Sequence, residues 1–155
     1  RRSGVRLGVA PVGDPEQNYA LQYSDAARWL RQGTVDYLMP QLYWGQEYVK
    51  DGDTSHSLAW LAGAWAALPR AAGVRLYAGL GAYRIGAGDG SDAGSEWVSG
   101  RALADQLNLL DRLGVQGAGL YRYASLFDAS VYAGLAAAEV DAVRQVWQID
   151  QRSKD

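Results

Sequence analysis

The sequence predicts an α/β fold built from four consecutive βα units with parallel strands. Short segments rich in Val, Leu and Tyr alternate with longer segments of helical period, and Gly or Asp residues separate them. Each predicted strand is followed by a predicted helix, so consecutive strands should run parallel with right-handed crossovers. The carboxyl ends of all four strands are therefore expected on one face, which is where function should be sought.

The bounds of the predicted strands and helices follow from this alternation and from the Pro and Gly residues that interrupt or end them. Pro15 and Pro69 interrupt a strand and a helix, whereas Gly33 and Gly114 are typical of helix ends. The predicted strands cover residues 5–12, 35–43, 75–83 and 117–124. The predicted helices begin at Ser24 or Asp25 and end at Gly33, then cover residues 58–72 with a kink or earlier stop at Pro69, 99–113, and about 130–147. The Gly-rich loop 86–92 is expected to be mobile.

Composition limits the chemistry. The 155 residues are 48% hydrophobic and carry a net charge of -2, which predicts one globular domain with a real core. Cys is absent and His56 is the only histidine, so a disulfide scaffold, a Cys/His zinc site and a multi-histidine metal centre are excluded. We expect no cofactor and no bound metal.

Charge and hydropathy also narrow the partners. The sequence has a pI near 5.4 and no basic stripe, so a nucleic-acid partner is not expected, and no apolar run is long enough to span a bilayer. The sequence begins with Arg1 and enters a strand pattern almost at once, which predicts a piece of a longer chain. We assign residues 1–149 to a single domain and residues 150–155 to a polar tail.

Four segments together carry a family resemblance. They are Leu-Gly-Val-Ala-Pro-Val-Gly at 7–13, Asp-Tyr-Leu-Met-Pro-Gln-Leu-Tyr-Trp at 36–44, Leu-Tyr-Ala-Gly-Leu-Gly-Ala-Tyr-Arg-Ile at 76–85, and a last strand ending in Tyr-Ala-Ser-Leu at 123–126. In order and spacing they resemble the last four strands of the bacterial glycosyl-hydrolase-like barrel family, and the run at 36–44 is the most specific. The resemblance implies the C-terminal half of a TIM (β/α)8 barrel, a fold that takes about 250 residues in full.

The resemblance also implies a function. The family is secreted or associated with the bacterial envelope, and its substrate class is cell-wall glycan, with peptidoglycan lacking stem peptides the best-supported member. Its paired aspartates lie on the fourth barrel strand, which would precede this chain. This chain is then expected to supply the substrate-binding wall and to be inactive by itself. It departs from the family at Tyr121-Arg122-Tyr123, where F-S-like residues are usual.

A glycosidase normally needs a pair of carboxylates, one on each side of the scissile bond. None lies inside a strand end of this sequence. The candidates are loop acids, each of which can equally be a solvated or helix-capping residue: Asp14, Glu47, Asp51, Asp53, Asp89, Asp92 and Glu96. Glu47 is the predicted catalytic candidate because it closely follows the strand end at 40–44.

Candidate sugar-binding residues lie where strands end. Alternation places Gln41 and Tyr43 on the inner face of the second strand, and it places Tyr83 on the same face as Gly79 and Gly81. An amide can bond sugar hydroxyls, an aromatic ring can cover an apolar sugar face, and an arginine can hold a carboxylate such as a lactyl group. A satisfied structural amide and ordinary salt bridges are the alternatives. The predicted set is Gln41, Tyr43, Trp44, Tyr83, Arg84, Tyr121 and Arg122.

The remaining aromatic residues are assigned more simply. Helical spacing favours a packing role for Trp29, Trp60, Trp65 and Trp147, while Trp97 stays open. His56 is expected to be solvent-exposed and is given no role.

Two further functional classes stay open. One is a non-catalytic carbohydrate-binding or structural half barrel that self-associates as a homodimer, or that pairs with a missing N-terminal half. The other is a flavodoxin-like domain, which would need a phosphate-binding turn that residues 11–15 do not provide.

Overall fold

The computed structural model of the chain describes residues 4–128 and 131–152, with side chains described as far as residue 147. Six short strands are present in this part of the chain: β1 (Gly8–Val9), β2 (Tyr37–Leu38), β3 (Gln41–Leu42), β4 (Arg75–Leu76), β5 (Ala78–Leu80) and β6 (Ala118–Leu120). The α-helices of the same residues are α1 (Pro15–Gln22), α2 (Ala26–Gln32), α3 (Leu58–Ala67), α4 (Ala102–Arg112), α5 (Tyr123–Phe127) and α6 (Ala133–Arg152). Ala82–Arg84 and Glu96–Val98 form 3-10 turns.

The strands are parallel and form two small sheets, ordered β1-β2-β4 and β3-β5-β6. Backbone hydrogen bonds between neighbouring segments continue from the first sheet towards the second. Met39 N donates to Val9 O at 2.9 Å, and Tyr77 N donates to Leu38 O at 2.8 Å. The break between β2 and β3 contains Pro40, which has no N–H for the ladder. The four predicted strand segments therefore lie side by side in chain order, and the predicted α/β fold with parallel strands is confirmed.

One face of the strands packs against the helices. Leu38 and Leu42 are fully buried and Pro40 between them is buried, as the alternation predicts. Burying such side chains against α2 and α3 removes apolar surface from water, which is the main favourable contribution to folding. The core also contains Leu76 and Leu80 from the strands and, from the helices, Leu61, Trp65, Leu103 and Leu110. The opposite face, which carries Tyr37, Met39, Gln41 and Tyr43, stays partly exposed.

Helix α1 lies where the sequence predicts a loop, and that prediction is wrong. The Asp14 side chain accepts bonds from Glu16 N at 2.8 Å and Gln17 N at 3.3 Å, and Pro15 occupies the first turn. An Asp cap followed by Pro is a helix-start signal, because Pro lacks only an N–H that the first turn leaves unpaired anyway. The same residues end the first strand, which concealed their second role.

The next two helices follow the predicted signals closely. Helix α2 is capped by Asp25, whose side chain accepts from Arg28 N at 2.9 Å, and it ends at Gly33 with a positive φ of 66°. Helix α3 stops at Ala67 rather than reaching residue 72, because Leu68 precedes Pro69 and takes an extended conformation.

Helix α4 begins at Ala102, three residues later than the predicted cap Ser99. Its first turn is capped from another element, since Ala102 N and Leu103 N donate to the Glu139 carboxylate of α6 at 2.7 and 2.9 Å. Glu139 is fully buried, and burial raises the pKa of its carboxyl group, against the opposing effect of these two bonds. A cap supplied by a residue 36 positions away leaves no local signal in the sequence.

Replacing Glu139 by alanine is expected to lower the free energy of unfolding by about 1–3 kcal/mol, because two buried N–H groups lose their acceptors. Urea titration would measure the change. Asp105→Ala is the matched control, since Asp105 lies on α4 and pairs with Arg101 at the surface, where such pairs contribute little. Equal stability of Glu139→Ala and the wild type would contradict this role of Glu139.

The C-terminal part differs from the predicted bounds. The fourth strand ends at Leu120, and Tyr123 and Ala124, predicted as strand, begin helix α5. Tyr83 lies in a 3-10 turn rather than in the third strand. Helix α6 continues to Arg152, into the predicted polar tail, and the predicted helix start at Ser130 lies outside the described residues.

Both outer strands have one neighbour each among the described residues. Exposed apolar side chains lie at both edges, with Val5 and Leu7 leading into β1 and Tyr123 and Phe127 beyond β6. At the second edge, β6, α5 and α6 line an apolar groove of about 280 Å³. Among the residues described, no helix combines the length and hydrophobicity that crossing a bilayer requires.

Candidate functional site

Three tyrosines from neighbouring strand ends form a cluster at the carboxyl end of the strands. The rings of Tyr43 and Tyr121 stack with centroids 5.6 Å apart, and Tyr83 meets both edge-on at 5.7 and 6.1 Å. Tyr121 is 52% exposed, whereas Tyr43 and Tyr83 are partly buried. Burial, with smaller contributions from Tyr121 and Tyr83, raises the pKa of the Tyr43 hydroxyl, which therefore stays protonated at neutral pH. The cluster presents apolar ring surface together with hydroxyl groups.

Two glycines of the third strand make room for Tyr43. A Cβ atom on Gly79 would lie 3.4 Å from the Tyr43 ring and 3.2 Å from Pro40 O, and a Cβ atom on Gly81 would lie 3.3 Å from the Tyr43 backbone. A side chain at Gly81 would crowd the Tyr43 backbone, and one at Gly79 would crowd Pro40 O, so both glycines allow close approach of the two strand segments. In this chain Tyr43 is the residue that packs against both glycines.

Arg84 connects this cluster to the following loop. Its Nε donates to Tyr43 O at 3.3 Å, its guanidinium donates to Gly88 O at 3.4 Å, and its Cζ lies 4.9 Å from the centre of the Tyr83 ring. Arg84 is therefore held by two carbonyl groups and an aromatic ring. The alternative of an ordinary salt bridge with a loop acid is not what the described residues show. Arg122 is exposed at the end of the fourth strand.

Gln41 and Trp44 are nearby but are partly used by the fold. Gln41 Nε2 donates to Ala10 O at 3.0 Å, so part of the amide satisfies the neighbouring strand. Trp44 is half-buried against the core and lies 5.4 Å from the ring of His56. His56 is half-buried beside Trp44, so the expectation that it is solvent-exposed is wrong.

The loops after β3 and β5 enclose a polar pocket of about 270 Å³ beside the strand ends. Glu47, Asp89 and Glu96 are among its lining residues. Glu47 is exposed, whereas both other carboxylates approach Gly45, where a Cβ would lie 3.0 Å from Asp89 Oδ2 and 3.1 Å from Glu96 Oε2. Asp89 Oδ2 accepts from Gly45 N at 2.7 Å and from Trp97 Nε1 at 3.0 Å. The structure thus brings three of the seven candidate acids together.

The other candidate acids are placed apart from this pocket or serve the loops. Asp14 caps α1, Asp53 accepts from the Ser55 backbone and hydroxyl, and Asp51 has a positive φ of 50° in a turn. Asp92 accepts from Lys50 Nζ at 2.8 Å and from Asp51 N at 2.7 Å. These bonds connect the Gly-rich loop to the preceding one, and the mobility expected for loop 86–92 stays a prediction.

The tryptophans differ in burial in a way that helical spacing could not predict. Trp65 is 1% exposed and donates from Nε1 to Gly13 O at 2.6 Å, and Trp29 packs against the core, as predicted. Trp60 on the same helix as Trp65 is 46% exposed and Trp147 is also exposed, so the packing role predicted for these two is wrong. Trp97, left open by the sequence, is completely buried.

Gln106 is a buried site residue that sequence reasoning missed. From α4 its Nε2 donates to Glu96 Oε1 at 2.7 Å and to Trp44 O at 3.4 Å. Polarity at a position inside an apolar helix face was the available signal, since a buried amide has to find partners.

Comparison with known proteins gives the family. The family model described as Glycosyl hydrolase-like 10 matches residues 2–99, well over half of the chain, and the chain belongs to this family. The proteins named glycosyl hydrolase DigH in Escherichia coli K12 and glycosyl hydrolase YngK in Bacillus subtilis 168 are 32% identical over 100 residues and 30% identical over 96 residues. These alignments cover 55% and 52% of this chain.

A third relative extends the match along the chain. The DigH protein of Escherichia coli O6:H1 is 31% identical over 127 residues, which is 70% of this chain. The three alignments cover 21%, 18% and 27% of the relatives, so the chain spans roughly a quarter or less of the proteins it matches. Activity of a whole glycosyl hydrolase can therefore be proposed for this chain only as one part of a larger site.

Proposed function

We propose that this chain supplies the substrate-binding wall of a glycoside hydrolase that acts on bacterial cell-wall glycan, with peptidoglycan strands lacking stem peptides as the substrate. The observation that carries the proposal is the Tyr43, Tyr83 and Tyr121 cluster at the carboxyl ends of three neighbouring strands. Parallel α/β folds bind ligands at this end of their strands. Membership of a glycosyl-hydrolase-like family supports glycosidic hydrolysis as the reaction class.

The residues of the wall suit a sugar chain chemically. The exposed part of Tyr121 offers an apolar face for a sugar ring, and the hydroxyls of the cluster can exchange bonds with sugar hydroxyls. Trp44 and Gln41 extend the surface along the second strand. Arg84 and Arg122 supply cationic groups for an acidic substituent such as the lactyl group of a muramic acid.

The catalytic residues of the whole enzyme are assigned mainly outside this chain. Glu47 is the carboxylate that we propose this chain contributes, because it is exposed in the pocket beside the strand ends. Asp89 and Glu96 share that pocket, but their oxygens are occupied by backbone and side-chain N–H groups. A two-carboxylate mechanism then needs a partner for Glu47 from other strands, and we expect the isolated chain to be inactive.

The proposed setting is the C-terminal half of a (β/α)8 barrel, formed by residues 1–149, in a secreted or envelope protein. Four parallel segments in chain order and an apolar surface at both outer strands support it, because a closed barrel would cover both edges. A second copy of the chain could cover the same edges, which is the alternative of a self-associating, non-catalytic half barrel.

Digestion of purified glycan separates the two functions. The native full-length protein is expected to release short reducing fragments from peptidoglycan strands stripped of stem peptides, measured by mass spectrometry, and to release none from strands with intact peptides. Binding without any released fragment would support the non-catalytic alternative. Release from intact peptidoglycan at an equal rate would contradict the proposed substrate.

The mass of the native protein distinguishes half of a longer (β/α)8 barrel from a self-associating half barrel. A full barrel requires a polypeptide substantially heavier than the 16.8 kDa of this chain, since the fold takes about 250 residues. A native polypeptide of 16.8 kDa that sediments as a compact monomer would contradict both the half barrel and the self-associated dimer.

A further inference from the structure

The loop after β3 is fixed by carboxylates from the loop after β5. Glu96 lies at the centre of this connection, where its Oε2 accepts from Gln46 N at 2.7 Å. Its Oε1 accepts from Gln106 Nε2 at 2.7 Å. Glu96 thereby holds the backbone of Gln46, the second residue after Trp44.

Gln106 extends this connection to Trp44 itself. The amide is completely buried, and the same Nε2 that donates to Glu96 also donates to Trp44 O at 3.4 Å. Gln106 Oε1 is buried and has no hydrogen-bond partner among the described residues. The Gln106 amide group therefore makes its shorter bond to Glu96 and links Glu96 to the backbone carbonyl of Trp44.

We infer that Glu96 is a positioning residue, which holds Trp44 and the Gly45–Glu47 turn in place for glycan binding through the N–H groups of Gln46 and Gln106. This inference rests on the proposed function, because it assumes that the wall binds glycan. It assigns to Glu96 no contact with the sugar. The acid acts through Trp44 and Glu47, which it sets at the mouth of the site.

The charges around Glu96 make this arrangement sensitive to pH. Asp89 faces Glu96 from its own loop, Glu139 faces it from α6, and Glu47 shares the pocket from the opposite loop, while Gln106 of α4 is neutral. Burial, reinforced by Asp89, raises the pKa of Glu96 above its usual value of 4.5, against the hydrogen bonds from Gln106 and Gln46. Protonation therefore removes an acceptor as the pH falls towards 4.5, and the turn loosens.

The test combines a binding measurement with a spectroscopic one on the native full-length protein. Affinity for glycan strands stripped of stem peptides is measured by calorimetry between pH 4 and 8 for the wild type, Glu96→Gln and Asp92→Asn. Asp92 joins the same two loops through Lys50 and Asp51, farther along the loop from Trp44, and is the matched control. Amide proton shifts of Gln46 and Glu47 are followed over the same pH range in the wild type.

We expect Glu96→Gln to bind roughly tenfold more weakly at pH 7, the effect of losing one hydrogen bond to a charged group, and to lose the acid limb of the binding profile. Asp92→Asn should keep both the affinity and the acid limb. The Gln46 and Glu47 amide shifts should titrate with the midpoint of that limb.

Two results would overturn the inference. One is an affinity and profile of Glu96→Gln equal to those of the wild type, and the other is Gln46 and Glu47 amide shifts that do not change with pH. If the wild type binds no glycan at all, the proposed function fails. The amide titration then still decides whether Glu96 holds the turn, since it requires neither a ligand nor a folded variant.

Discussion

Replacing Tyr43 by alanine is expected to weaken glycan binding by about tenfold to a hundredfold, a size typical of an aromatic residue at the centre of a binding surface. Tyr43 stacks on Tyr121 and supports Tyr83 edge-on, so its removal takes away one ring and leaves the other two without their shared neighbour. Calorimetry with glycan strands stripped of stem peptides would measure the loss in the native full-length protein.

The matched variants for this prediction separate the ring from its hydroxyl and from general surface effects. Tyr43→Phe keeps the stacked ring and should retain most of the affinity. Tyr19→Ala removes an exposed tyrosine from α1, away from the cluster, and should change nothing. Trp44→Ala is expected to weaken binding as well. If Tyr43→Ala and Trp44→Ala were both folded and bound glycan as tightly as the wild type, this surface would not be the binding wall.

Replacing Trp65 by alanine should have the largest effect on stability, lowering the free energy of unfolding by about 3–5 kcal/mol. The side chain is 1% exposed in the core between α3 and the strands, and its Nε1 donates to Gly13 O at 2.6 Å. The variant therefore creates a cavity and leaves the Gly13 carbonyl without this donor. Chemical denaturation followed by circular dichroism would measure the change.

Trp60 provides the control on the same helix. It is 46% exposed, and Trp60→Ala should lower the free energy of unfolding far less than Trp65→Ala, since little of its surface is removed from water. Trp65→Phe keeps most of the volume and should cost about 1–2 kcal/mol, mainly for the lost hydrogen bond. Equal losses for Trp60→Ala and Trp65→Ala would contradict the orientation of α3.

The strands and their faces could be predicted because their signals are local. Alternation in residues 37–43 separates the buried Leu38, Pro40 and Leu42 from the partly exposed Tyr37, Met39, Gln41 and Tyr43. The side-chain period of a strand is two, so a single correct residue fixes the whole face. The parallel order then follows from the helices between strands.

Features that join distant parts of the chain could not be predicted. Glu139 caps the start of α4, and Gln106 donates to the backbone of Trp44. Asp89 and Glu96 accept from the backbone of the Gly45–Glu47 turn. Each is an acceptor or donor for a backbone group far away in sequence, and an acid in a loop has the same sequence signature whether it is solvated or buried. The helix α1 was missed for a different reason, since Asp14 and Pro15 end one element and begin another.

Glycan is proposed to bind across the carboxyl ends of these strands. Hydrogen exchange followed by mass spectrometry, on the native full-length protein with and without glycan strands stripped of stem peptides, tests it most directly. We expect protection in peptides that contain Tyr43 to Glu47, Tyr83 to Gly88 and Tyr121 to Arg122, and little change in α1 and α2. If glycan binds but none of these three segments is protected, glycan does not bind across the carboxyl ends of the strands.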